Sequence, residues 1–157
     1  MPNPTVKDLM THDVVSVHPE TLLSDVYEII FKNNFHGVPV INGEKHLVGI
    51  LTEYDLIVKD SLVHLPTFQK ILSEIKIYKK GPNELKKEIG ALKKLTAKDV
   101  MNPEPLVLSD EATLEEVVTA FREHHRVNPI PVIDKNRTVV GVVSRYDILK
   151  LFDFIKK

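Results

Sequence analysis

Thr5 to Met10 reads TVKDLM, and 91 positions later Thr96 to Met101 reads TAKDVM. The register then holds, with Glu20, Leu23 and Val26 falling on Glu111, Leu114 and Val117. After one extra residue in the second half the offset becomes 92: Pro39-Val40-Ile41 meets Pro131-Val132-Ile133, Val48-Gly49 meets Val140-Gly141, and Tyr54-Asp55 meets Tyr146-Asp147. A repeat kept in phase this long constrains the fold more than any single motif, because both copies must form one kind of unit and each can bury its apolar face on the other.

Each copy reads as the same series of elements. After the opening segment comes an amphipathic helix, with Leu22, Val26, Ile29 and Ile30 on one stripe in the first copy and Leu114, Val117, Val118 and Phe121 in the second. Two strands follow. In the first copy Val38–Ile41 and Leu47–Leu51 flank Asn42-Gly43, a dipeptide that favours tight hairpin turns; in the second, Ile130–Ile133 and Thr138–Val143 flank Asp134-Lys135-Asn136. A second helix starts at Thr52 or Ser144. A strand-helix-strand-strand-helix unit of about 50 residues has too little core to be stable alone. Two units are therefore expected to pack sheet to sheet as one pseudo-symmetric α/β domain, with a cleft on each side of the join. The copies span 1–58 and 96–157, and 59–95 is an insertion without a counterpart.

The insertion reads as helical. Leu62, Leu65, Phe68, Leu72 and Ile75 recur at helical spacing, broken by Pro66, and Leu85, Ile89 and Leu92 make a second amphipathic stretch after Gly81-Pro82. Its lysines (Lys76, Lys79, Lys80, Lys86, Lys87, Lys93 and Lys94) suit a solvated helix face or, as the alternative, a nucleic-acid surface. A formal net charge of -1 argues against a surface shaped as a whole for nucleic acid or anionic membrane. The absence of cysteine removes disulfides, thiolate nucleophiles and cysteine zinc sites. No apolar run approaches the roughly 18 residues of a membrane span, and MPNPTVKDLM lacks the pattern of a signal peptide. A cytoplasmic chain is expected.

Two polar quartets, Thr52-Glu53-Tyr54-Asp55 and Ser144-Arg145-Tyr146-Asp147, stand where an apolar strand gives way to a helix. A hydroxyl residue followed three positions later by a carboxylate caps a helix, which contributes roughly 0.5–2 kcal/mol. Gly49 and Gly141, inside the preceding strands, ask for more, since a strand glycine marks the close approach of a ligand or another backbone. A strand-to-helix turn also suits a phosphate. A carboxylate one turn away could then accept hydrogen bonds from both hydroxyls of a ribose, as in dinucleotide folds.

Three ordered segments, each present twice, carry a family resemblance: Val6-Lys7-Asp8-Leu9-Met10 with Ala97-Lys98-Asp99-Val100-Met101; His36-Gly37-Val38-Pro39-Val40-Ile41 with Asn128-Pro129-Ile130-Pro131-Val132-Ile133; and Gly49 to Asp55 with Gly141 to Asp147. The chain resembles a tandem pair of CBS domains, a Bateman module. The resemblance implies adenosine-containing ligands (AMP, ADP, ATP, S-adenosylmethionine, sometimes NAD) bound in clefts between the repeats, and a disc-shaped homodimer. It assigns Asp55 and Asp147 to the ribose and Thr52 and Ser144 to the neighbourhood of the phosphate. The adenine contacts it suggests are Val15 with Val38-Pro39 in one half, and Leu106 with Ile130-Pro131 in the other.

The halves differ in charge. Arg145 aligns with Glu53, and the second half adds Arg122, His124, His125 and Arg126, against Lys32 and His36 in the first. Arg145, Arg126 and His36 are therefore the candidate phosphate partners, with the Asp147 site expected to bind phosphate better. Pro129 and the extra residue near it depart from the family's usual pattern and bear on the local backbone path. His124-His125 makes no metal pair, since neighbours on a helix point about 100° apart. No catalytic motif occurs. In the terminal helix Ile148, Leu151, Phe152 and Ile155 share a stripe while Leu149 and Phe154 lie off it, suiting a dimer contact or packing on the first repeat. The expected function is sensing: an adenosine-containing regulatory ligand changes the relation of the repeats, and an effector protein reads the change.

Overall fold

The computed structural model of the chain describes residues 4–57 and 94–152. The periodic pattern of the insertion up to position 93, and Ile155 of the terminal stripe with Phe154 beside it, lie outside the described residues. In chain order come a 3-10 turn Val6–Asp8, α1 Leu23–Asn33, β1 Gly37–Ile41, β2 Leu47–Thr52 and α2 Glu53–Ile57. The second half has α3 Ala97–Val100, β3 Leu108–Ser109, α4 Leu114–Glu123, β4 Ile130–Ile133, β5 Val139–Val143 and α5 Arg145–Leu149. β1 pairs antiparallel with β2, and β4 with β5. β3 adds to β4 in parallel, a place held in the first half by a single bridge from Val17 to Val40.

Each helix follows its apolar rhythm with a small change of phase. Leu22 is the N-cap of α1 and 42% exposed, so Leu23 takes the buried place beside Val26 and Ile30. In α4 Val117 and Phe121 are buried, while Val118 is 40% exposed. The hairpins differ from the tight turn expected at Asn42-Gly43. Asn42 Oδ1 accepts from the N–H groups of Glu44 and His46, and Asp134 Oδ1 from those of Asn136 and Thr138. The left-handed position is taken by Lys45 (φ 64°) and Arg137 (φ 65°), not by glycine. An acceptor side chain that bonds its own loop two and four residues on has replaced the two-residue turn.

The halves are interlocked rather than merely stacked. The opening segment of the first half lies on the second: Val6 N–H donates to Ala112 O (2.8 Å), and Thr11 and Val142 exchange two backbone bonds (2.8 and 3.1 Å). The opening segment of the second lies in the same way on the first, with Ala97 N–H on Thr21 O (2.8 Å) and paired bonds between Asn102 and Ile50 (2.8 and 3.0 Å). Val6 and Met10 are thus buried with Val117, Ile130 and Val143, whereas Ala97 and Val100 are buried with Val26, Val38 and Leu51. Exposed ion pairs repeat the exchange: Lys7 reaches Asp110 (2.8 Å) and Lys98 reaches Glu20 (2.7 Å). The hairpin tips also meet, through a bridge between His46 and Thr138.

This exchange explains the strand glycines. A Cβ on Gly49 would lie 2.6 Å from Met101 Sδ and 2.9 Å from the carbonyl oxygen of Asn102, which the paired bonds to Ile50 hold in place. On Gly141 the three nearest atoms all belong to the Met10 side chain, a flexible thioether that can turn aside. Gly49→Ala should therefore cost about 1–3 kcal/mol by overpacking. Gly141→Ala should cost less than Gly49→Ala, because only the buried Met10 side chain, and no backbone atom, has to shift. Chemical denaturation of both variants measures the difference, and equal losses would contradict the role given to the Asn102 backbone.

Candidate functional site

The quartets form closed hydrogen-bonded boxes. The N–H and hydroxyl of Ser144 both donate to Asp147 Oδ2 (2.7 and 2.8 Å), and Asp147 N–H donates back to Ser144 Oγ (3.3 Å). Thr52 and Asp55 do the same, at 2.9, 2.8 and 3.2 Å. The same device recurs at Thr96 with Asp99 and Thr113 with Glu116, where it is exposed. Only Asp55 (5% exposed) and Asp147 (4%) are buried charged residues among those described. A cap does not require burial, and burying a carboxylate is costly unless it is well partnered. The buried pair therefore carries something the exposed caps do not.

Asp147 lies in the wall of a cleft of about 290 Å³, near the lower end of the usual range for small-molecule sites. The second half contributes Pro129, Val142, Ser144, Tyr146, Asp147 and Lys150 to its walls. The first half contributes Thr11, Asp13, Val14, Val15, Asn34, Phe35, His36, Gly37 and Pro39. The fold positions these groups directly. β5 ends at Val143 and delivers Ser144 and Asp147, the bond pair between Thr11 and Val142 brings the 11–15 segment alongside, and the end of α1 leads into His36 and Gly37. Asn128-Pro129, beside the cleft, is a cis peptide.

The cleft thus crosses the halves, and the candidates regroup. Val15, Pro39 and His36 share walls with Ser144 and Asp147, not with Thr52 and Asp55. Val38 and Ile130, expected at the adenine, are 0% exposed in the two cores. The strand period of two turns their neighbours Pro39 and Pro131 to the other face, where both are also fully buried and Pro39 backs the cleft wall. Leu106 packs against the core that holds Ile130. The hydroxyl of Ser144, like that of Thr52, gives its one proton to the aspartate of its own quartet, so neither is a free donor for a phosphate.

The arginines also move. Arg145 donates to the backbone carbonyls of Phe121 (3.4 Å), His124 (3.1 Å) and His125 (2.6 Å) and lies over the Phe121 ring, 5.2 Å from its centre. It ties down carbonyls at the end of α4, where a cation is favoured. Arg126 lies over the ring of Tyr54, 5.8 Å away, on the Asp55 side of the join. The charge excess of the second half therefore does not collect around Asp147. His36 Nδ1 donates to Glu53 Oε1 (2.9 Å).

The cation that does stand at Asp147 is Lys150, whose Nζ is 2.7 Å from Asp147 Oδ1 and 5.5 Å from the centre of the Tyr146 ring. The hydrogen bond to Asp147 raises the Lys150 pKa above its ordinary value against the opposing effect of desolvation. Reading the quartet as a closed unit missed it. The signal was present in the spacing, because residues three apart share a helix face. Among the described residues no group of three His, Asp or Glu could hold a metal ion, and no helix is long and apolar enough to cross a membrane.

Fold and cleft define a pair of interlocked α/β repeats with a partly buried carboxylate site at their join. The chain belongs to the CBS-domain family, whose model matches residues 6–61 and 97–153. The chloroplastic CBS domain-containing protein CBSX2 of Arabidopsis thaliana is 29% identical over 98% of this chain, which spans 65% of that relative's length. The crystal structure of CBSX2 in complex with AMP has a TM-score of 0.71 at 26% identity, covering 98% of both chains. The CBS domain pair of protein MJ0100, solved with 5′-methylthioadenosine and S-adenosylmethionine, has a TM-score of 0.67 at 21% identity, covers 95% of this chain and 99% of its own, and is a likeness of fold.

Proposed function

We propose that the chain is a regulatory module that binds an adenosine-containing ligand in the cleft at Asp147 and passes the resulting change of shape to an effector protein. The observation that carries this reading is the buried Asp147 carboxylate, 4% exposed and in the wall of a cleft built from both halves. Family membership and the likeness to the AMP complex of CBSX2 support it. In this reading a ribose binds Asp147 through its hydroxyls, and the adenine lies against Val15 and Pro39. His36, paired with Glu53, borders the site. Because the walls come from both halves, the ligand bridges the join, and it shifts the equilibrium only by its different affinity for the shapes available there.

The role is one of binding and not of catalysis. A cytoplasmic setting and a homodimer complete the proposal. Leu149 and Phe152, each 58% exposed at the end of the chain's described part, give the dimer an apolar contact. Of the lysines that would carry the rival reading, a nucleic-acid surface on the insertion, all but Lys94 lie outside the described residues.

A thermal-shift panel of AMP, ADP, ATP, S-adenosylmethionine and NAD tests the function. A ligand at about 100 times its Kd stabilises the folded chain by roughly 2.7 kcal/mol, which for a chain of this size raises Tm by roughly 5–10 °C. The expected result is a shift with at least one member. A flat panel at millimolar concentrations would refute the proposal.

A further inference from the structure

Counting the partners of Asp147 exposes a conflict with plain ribose recognition. An ionised carboxylate offers about four lone-pair positions. Oδ2 already receives the N–H and hydroxyl of Ser144, and Oδ1 receives the Lys150 ammonium at 2.7 Å. One position is left, and two ribose hydroxyls need two. Ser144 cannot withdraw, because it is held inside the box that starts α5. Lys150 can: its side chain is 51% exposed and joined to the helix by a flexible stem. The ligand must therefore push the ammonium off Oδ1, and what becomes of that charge decides which ligands are worth binding.

The remaining charges along the cleft sharpen the point. Asp13 is the other carboxylate in its walls, and apart from His36, whose Nδ1 is engaged with Glu53, Lys150 is the one basic side chain among the described residues lining it. Without Lys150 the cleft would repel a phosphate and attract a cation. We propose that Lys150 is the specificity-determining residue of this cleft: displaced from Asp147 by the ribose, its ammonium turns to the 5′ substituent, so the site selects adenosine ligands bearing a 5′-phosphate over those bearing a neutral or cationic sulfur group. A phosphate gives the displaced ammonium a new charge-assisted partner. A thioether gives it none, and a sulfonium repels it. This inference rests on the reading of the cleft as an adenosine site. It adds a preference within that class of ligand, set by a residue that Val58 replaces at the corresponding place in the first repeat.

AMP and 5′-methylthioadenosine are a matched pair of probes, the same nucleoside with an anionic or a neutral 5′ group. Titration calorimetry of the full chain at one low ionic strength should give a tighter Kd for AMP. Lys150→Met should reduce the preference for AMP by about tenfold or more, through loss of a bond to a charged group. Its affinity for 5′-methylthioadenosine should hold or improve, since no ammonium has to be displaced. Lys150→Arg should keep the preference. An unchanged ratio in Lys150→Met, equal weakening of both compounds, or a wild-type chain that prefers the thioether would each overturn the role of Lys150 while leaving an adenosine site standing. Failure of the wild-type chain to bind either compound would overturn that site and the inference with it.

Discussion

Val6→Asp is expected to destabilise the protein by roughly 4 kcal/mol or more, lowering Tm by roughly 8–16 °C, and to do its damage in the far half of the sequence. Val6 is 0% exposed and sits in the core formed by Val117, Phe121, Ile130 and Val143. A carboxylate there has neither water nor a cation to answer it. Because so large a loss can unfold the whole chain, Val6→Ala is the finer probe. Removing two methyl groups costs about 2 kcal/mol, little enough for most domains to remain folded. Hydrogen exchange should then show protection lost in α4, β4 and β5 and kept in α1, β1 and β2. Val100→Ala, in the core of the first half, should show the converse. Losses confined to the half that carries the substitution would contradict the exchange of opening segments.

That exchange marks the boundary of what the sequence could tell. Elements with strong local signals are where they were expected. The apolar runs Val38-Pro39-Val40-Ile41 and Ile130-Pro131-Val132-Ile133 beside their turn residues give β1 and β4, and the stripes containing Val26 and Val117 give α1 and α4. These depend on periodicities of a few residues, which any chain expresses locally. The expected Asn-Gly turn failed for a local reason too, since the Asn42 side chain bonds its own loop. The opening segments carry no such signal. TVKDLM and TAKDVM look alike, so each could lie on its own half or on the other, and the repeat that revealed the fold also hid the swap. Gly49 and Gly141 were the clue: something had to come close to each strand, and it is the methionine of the other copy.

The candidate site was legible as a set of residue types and not as a grouping. Asp147, Val15, Pro39 and His36 do border one cleft, but only because segments 11–15 and 34–39 reach across to β5 and α5. Sorting the candidates by half therefore mixed the sites. The same step misled the reading of charge. Arg145 looked like a phosphate ligand because it follows Ser144, yet its guanidinium spans the carbonyls of Phe121, His124 and His125. Sequence adjacency says where a residue's backbone is, and a side chain as long as arginine can end several ångströms away on another element. Lys150, five residues further on, ends in the cleft.

Asp147→Asn should weaken adenosine-ligand binding about 10- to 100-fold while leaving the fold in place. The amide oxygen can still accept the N–H and hydroxyl of Ser144, so the start of α5 keeps its cap. The other carboxylate oxygen is replaced by an NH2 group that can only donate, where the ribose hydroxyls need an acceptor. Hydrogen bonds to a charged group contribute about 1.5–3 kcal/mol, and each 1.4 kcal/mol is about tenfold in Kd. Two controls separate this from general damage. Asp99→Asn alters the same kind of box at an exposed cap, so it should cost at most about 1 kcal/mol of stability and leave binding unchanged. Asp55→Asn alters the other buried box, whose aspartate is not in the walls of this cleft, and should leave the affinity of the Asp147 site as it was. Calorimetry reads the affinities and a melt reads the fold. Equal losses in Asp55→Asn and Asp147→Asn, or a loss confined to Asp55→Asn, would move the ligand out of this cleft. With Asp147→Asn the Lys150 ammonium also loses its partner; because the ribose displaces it for either ligand, that cost disappears from both, and the preference for AMP over 5′-methylthioadenosine should persist in any residual binding.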